Sequence, residues 1–241
     1  MKYSIVLLIG ILTFSLMSCK KDTEEDFSIN YGYEYFPDEE GSYVIYDVDS
    51  TTYNDFFTPV LVTKASFQLK EVIGETFTDL SGRISKKVYR YTRINSSAAW
   101  NIADVYYQTV TNKTAEKVEE NLRYIKLVFP IKEDKQWSGN IFINTVDNLS
   151  YLEGWTYSIK HLDQQFSTAS LDFDSTLTVL QAYDSSAINL TSSEEVYARG
   201  VGLVYKELKV LASQNNFDQP WEQRAEQGFI LRMSAIEYGK E

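Results

Sequence analysis

The 241-residue chain contains one cysteine, Cys19, and one histidine, His161. That scarcity excludes Cys/His zinc sites, which need three or four such ligands. It leaves His161 as the sole base for a Ser-His-Asp arrangement, and no Gly-x-Ser-x-Gly elbow supplies the nucleophile. Phosphate-cradling loops of the Gly-x-x-x-x-Gly-Lys or Gly-x-Gly-x-x-Gly type are absent from the sequence, as are internal repeats and heptads. Positive charge is also short: 23 Lys and Arg against 34 Asp and Glu leave a net charge of −11, which argues against a nucleic-acid partner. What the chain has in excess is aromatic residues, with 18 Tyr, 13 Phe and 4 Trp. A chain so aromatic folds, because disordered segments lack such side chains.

The N-terminus reads as an address. Met1-Lys2-Tyr3 precedes an apolar run from Ile5 to Met17, shorter than the ~20 residues of a spanning helix, and then Leu16-Met17-Ser18-Cys19. Residues 1–18 are thus expected to be a signal peptide. Leu-Met-Ser-Cys resembles the lipobox of bacterial lipoproteins, which implies a diacylglyceryl group on the Cys19 thiol and a mature chain starting there. Two or more acyl chains anchor firmly, at ~0.8 kcal/mol per buried methylene. With Cys19 acylated no thiol remains for a disulfide, so the core must hold without one. Residues 19–30 are expected to form the lipidated cysteine and an acidic tether. Its Lys20-Lys21-Asp22-Thr23-Glu24-Glu25-Asp26 resembles the surface-export signal of Bacteroidetes lipoproteins, which implies the outer membrane, with the outward face as one destination and the periplasm-facing side as the other.

From residue 31 to 241 the composition is that of one domain. Leu171, Phe173, Leu177 and Val179 alternate with acids and hydroxyls, a half-buried strand. Segments 67–73 and 125–131 share that pattern, the second closed by Pro130, which cannot donate to a ladder. Further strands are expected at 42–48, 84–94, 141–146, 151–159, 196–211 and 229–238, with short helices at 98–107 and 114–122. The fold class is therefore mainly β: an antiparallel curved sheet, half-barrel or barrel-like.

Glu195-Val196-Tyr197-Ala198-Arg199-Gly200-Val201-Gly202-Leu203-Val204 resembles the Tyr-Ala-x-Gly-Val-Gly-Leu-Val strand of Bacteroidetes-type envelope lipoproteins of unknown function. Asn121–Pro130 and Trp137-Ser138-Gly139-Asn140 are similar to other blocks of that group. The resemblance implies an extracytoplasmic β-rich lipoprotein and names no substrate. Read as one strand, Gly200 and Gly202 share parity and would open one face to a packed aromatic or to a ligand, so both are ligand-facing candidates. Asp49-Ser50-Thr51 and Asp174-Ser175-Thr176 resemble O-glycosylation signals.

The sequence points to no catalytic residue, metal site or cofactor. Paired carboxylates such as Asp172/Asp174 keep a glycan hydrolase open, and His161 reads as a surface residue at a strand end. The expected function is a membrane-anchored, non-enzymatic outer-membrane lipoprotein that binds an envelope protein or a small-molecule or glycan ligand. A hydrolase and a structural or assembly component of an envelope complex stay as alternatives. A deep aromatic hollow would favour ligand binding, facing acids the hydrolase, and an exposed apolar patch assembly.

Overall fold

Along most of the chain, inward and outward side chains alternate with period two, and the backbone follows as strands. A computed structural model describes residues 30–241; the expected leader, Cys19 and most of the tether lie outside them. Twelve strands run in chain order: β1 Ser42–Asn54, β2 Leu61–Thr78, β3 Ile84–Arg93, β4 Asn101–Val110, β5 Thr114–Glu119, β6 Leu122–Val128, β7 Gln136–Trp137, β8 Tyr157–Ser167, β9 Asp172–Ser185, β10 Asn189–Ala198, β11 Gly202–Ala212 and β12 Gln227–Lys240. They form one antiparallel sheet in the order β6-β5-β4-β3-β2-β1-β12-β11-β10-β9-β8-β7. Every strand therefore pairs with its sequence neighbour, and β1 with β12, from Ser42 opposite Lys240 to Tyr53 opposite Gly228.

The sheet curls until its two edges, β6 and β7, meet. Their seam holds a backbone bond from Ile125 N to Gly139 O (2.7 Å) and a bond from Trp137 Nε1 to Ile125 O (2.8 Å). The architecture is thus mainly β and nearly closed into a barrel, as expected. Short polar turns make the meander feasible: the Asp79 carboxylate accepts from Ser81 N and Arg83 N, and Thr168 Oγ1 from Leu171 N.

The topology gives the barrel two poles. The chain enters at one, shared by the β2–β3, β4–β5, β6–β7, β8–β9 and β10–β11 turns. The other, the loop pole, carries the β1–β2, β3–β4, β7–β8, β9–β10 and β11–β12 connections, including the one-turn helix α1 Trp221–Arg224, and the short β5–β6 turn at Glu120–Asn121 faces the same way. Tyr46, Val48, Met233 and Ala235 pack inside β1 and β12, and Leu177, Val179, Tyr157 and Ile159 inside the opposite wall. Each such aliphatic or aromatic side chain contributes ~1.5–3 kcal/mol by leaving water.

Four expectations are corrected. Segments 98–107 and 114–122 are not helices; they fall largely on β4 and β5. Ladders on both sides of each strand override the weak helical propensity of Ala98-Ala99-Trp100 and Thr114–Lys117, and Ala98–Trp100 serves as the turn between β3 and β4. Segment 141–146 is a turn and loop, since no strand pairs with it. Segment 151–159 begins as a 3-10 turn and becomes β8 only at Tyr157. Segment 196–211 is not one strand but the β10–β11 hairpin, folded back at Arg199–Val201.

Candidate functional site

The hairpin decides where Gly200 and Gly202 lie. Gly200 is a turn residue with φ +75°, and Gly202 opens β11 with φ +94°, so both occupy the left-handed region that favours glycine. They do not open one face of a strand together. Gly200 N donates to Glu34 O (2.8 Å), and a Cβ there would meet nothing within 4 Å. A Cβ on Gly202 would stand 3.2 Å from Pro37 Cδ, and Gly202 lines a cavity of about 70 Å³ inside the entry pole.

That cavity is walled by Phe36, Val44, Ile73 and Val88 and ends on charged side chains of β2, β5 and β6. Seven charges of alternating sign cross the lumen. Arg90 Nε lies 3.2 Å from Glu71, and Lys117 Nζ lies 2.7 Å from Glu71 and 3.6 Å from Glu119. Lys126 Nζ follows, 3.6 Å from Glu119 and 2.9 Å from Glu195, and Lys206 Nζ closes the row 3.3 Å from Glu195. Tyr197 donates its hydroxyl to the second oxygen of Glu195 (2.6 Å) and Tyr46 donates to Leu203 O (2.9 Å). The side chains of Glu195 and Lys126 are 0% and 4% exposed.

Burial opposes ionisation of Glu195, but Lys126 and Lys206 outweigh it and hold the carboxyl at about 2. Glu119, only partly buried, is likewise drawn below the usual carboxylate range by Lys126, Lys206 and Lys117, which outweigh its desolvation. Burial would lower Lys126, and Glu119 and Glu195 raise it instead. Glu119, Glu195 and Lys126 are thus all held in their charged forms at neutral pH. Because Lys126 on β6 reaches Glu195 on β10, it bridges the walls on either side of the β6–β7 seam. Beyond Lys126 a second cavity, about 40 Å³, is bounded by Tyr124, Tyr157 and Trp155. Sites for drug-sized ligands span ~300–1,000 Å³, so the lumen has space for water and not for a glycan or lipid. A general acid needs a raised pKa, and the lumen carboxyls Glu119 and Glu195 are depressed.

At the entry pole a second cluster holds the N-terminal segment. Asp163 Oδ1 accepts from Tyr35 (2.5 Å), Ser175 (2.7 Å) and Arg199 Nη2 (2.8 Å), while Arg199 Nη1 pairs with Glu34. The Tyr35, Ser175 and Arg199 hydrogen bonds hold the Asp163 carboxyl near 2. His161 and Asp163 have φ of +54° and +56° in an irregular stretch of β8, and this turns Asp163 toward the cluster. His161 is exposed, within β8 rather than at its end. Ser175 is thus engaged and Thr176 is 2% exposed; Ser50 and Thr51 lie within β1, so both glycosylation motifs sit in strands rather than loops.

The loop pole is different in character. It exposes Phe56 (90%), Ile94 (77%), Tyr183 (71%) and Ile102 (62%), where the entry pole exposes chiefly Leu80 and Ile84. Two adjoining clefts open there, about 380 and 320 Å³, sharing Tyr151 and Thr191. Nothing in the sequence singles out this place. Its only signal was the aromatic excess, which is scattered among Tyr151, Trp155 and Tyr183 and converges only through the fold. Among the described residues no cluster of three or more His, Cys, Asp or Glu side chains could hold a metal ion.

No protein-family model and no curated protein matches the chain. Among solved structures it is similar to a Bacteroides fragilis protein described as exported and of YmcC-like fold: 9% identity, TM-score 0.39, 85% of this chain and 98% of that one. It is also similar to a Vibrio parahaemolyticus domain described as an outer membrane lipoprotein-sorting protein, at 13% identity and TM-score 0.21, over 85% and 87% of the two chains.

Proposed function

We propose that this chain is a non-enzymatic outer-membrane lipoprotein, anchored through Cys19, that meets its envelope partner with the loop pole. The observation that carries this reading is the contrast between a lumen filled by the Arg90–Lys206 charge row and a loop pole that exposes Phe56, Ile94 and Ile102. The lipobox-like Leu16–Cys19 supports the anchor, and the envelope-lipoprotein resemblance of 195–204 supports the compartment. Tyr31 enters at the opposite pole, where Ile131 N donates to Tyr31 O (2.9 Å). Residues 20–30, at ~3.3–3.6 Å each when extended, reach about 40 Å from the lipid. An anchor at Cys19 would thus attach to the barrel at its entry pole and leave the loop pole free to meet the envelope space.

Fractionation of cells carrying Cys19→Ala tests the anchor: the protein is expected to move from the membrane to the soluble fraction, and unchanged membrane association would overturn it. Protease added to intact cells is expected to cleave the domain if Lys20–Asp26 directs surface export; full protection in undamaged cells would place it on the periplasmic side instead.

A further inference from the structure

The two loop-pole clefts combine aromatic faces with polar side chains that nothing in the domain uses. Tyr183 is 71% exposed. Tyr151 is fixed by edge contacts with Trp155 (centroids 6.0 Å, 67°) and Phe229 (6.1 Å, 87°), and Trp155 Nε1 donates to Tyr151 O (2.6 Å). The Tyr151 ring is therefore held in place before any ligand arrives, while Tyr183 presents an open face beside it. Around it stand Glu153, Thr156, Asp184 and Thr191, whose side chains show no hydrogen bond or ion pair among the described residues. Neither cleft is lined by Lys or Arg.

This chemistry selects its ligand. An apolar molecule would strip water from two carboxylates and two hydroxyls without replacing their hydrogen bonds, at ~1–3 kcal/mol per group. An acidic one would meet Glu153 and Asp184 with no cation to compensate. A pyranose without acidic groups satisfies both demands: its C–H face lies on a tyrosine ring and its neighbouring hydroxyls donate to a carboxylate. We infer that the paired clefts at Tyr151 and Tyr183 bind a non-acidic oligosaccharide, one cleft on each side of Tyr151. Each cleft falls within the ~300–1,000 Å³ of small-molecule sites. The inference rests on the reading of the loop pole as the working face and gives it a ligand class.

Calorimetric titration of the full mature chain with maltotetraose, cellotetraose and chitotetraose, against tetragalacturonate as the acidic counterpart, tests it. At least one neutral tetrasaccharide is expected to bind, and the acidic one roughly tenfold or more weaker. Tyr183→Ala is expected to weaken binding roughly tenfold and Tyr183→Phe to keep it within about twofold, since the ring face rather than the hydroxyl makes the contact. Tyr183 is exposed, so both variants should retain the circular dichroism of the parent. Absence of heat with every neutral sugar at millimolar concentration, or an unchanged affinity in Tyr183→Ala, would overturn the inference. Capture of a protein by the loop pole in the absence of sugar binding would leave the partner reading standing while the saccharide site falls. Release of reducing sugar during the titration would uphold the site and overturn the non-enzymatic reading.

Discussion

At the residue scale Lys126 carries the greatest consequence, because its ammonium is the most deeply buried cation of the seven-charge row and touches a carboxylate on either side, Glu119 and Glu195. Truncating one member of a buried ion pair strands its partner without water, a loss of ~3–5 kcal/mol. Lys126→Met should therefore destabilise by about that amount in urea unfolding. The double variant Lys126→Met/Glu195→Leu should recover only part of it, since the Lys126–Glu195 pair is removed whole but Lys206 and the Tyr197 hydroxyl lose Glu195 as partner. The glycines differ in the same graded way. Gly200→Ala should cost ~1–2 kcal/mol for a left-handed residue in open space. Gly202→Ala should cost roughly 1 kcal/mol more in the same assay, because its Cβ also presses on Pro37.

At the scale of elements, the clamp of Glu34, Tyr35, Asp163, Ser175 and Arg199 fastens the N-terminal segment to the β8–β9 and β10–β11 hairpins. Arg199→Ala should speed amide hydrogen exchange across residues 31–38 while leaving β1 and β12 protected; unchanged exchange in 31–38 would show that Tyr35 and Phe36 hold the segment by packing alone. How much of this was legible follows from what each element alternates. β1, β2, β3, β9 and β12 carry apolar residues at period two and stand out in the sequence. β4 and β5 do not, because their inward positions hold Tyr106, Gln108, Lys117 and Glu119, which look like a solvated face until the lumen supplies their partners. The β10–β11 hairpin was hidden because Val196 to Val204 is apolar but for Arg199, with Gly200 and Gly202 as the remaining turn signals. The loop-pole clefts were illegible, since they bring together the β7–β8 connection at Ser150–Thr156 and the ends of β9, β10, β11 and β12, as far along the chain as Gly228.

At the scale of the whole molecule the charge row links stability to acid. Glu195 is depressed from the ordinary carboxylate range to about 2. Its contribution is therefore complete above the unfolded pKa of ~4.3 and is lost as pH falls through the folded value, on the order of 3 kcal/mol between pH 5 and pH 2. Glu119 adds to the same fall. The urea midpoint should thus decline steeply below pH 5, and Glu195→Gln, already less stable, should show a shallower decline.

The central claim is that the barrel works from its loop pole and not through its lumen. Photo-crosslinking residues placed one at a time at Phe56, Tyr183 and Leu80 test it in intact cells, all three side chains being well exposed in the isolated domain. The account predicts a discrete adduct, to a protein or a glycan, from Phe56 or Tyr183 and none from Leu80 at the entry pole. An adduct confined to Leu80 would contradict it.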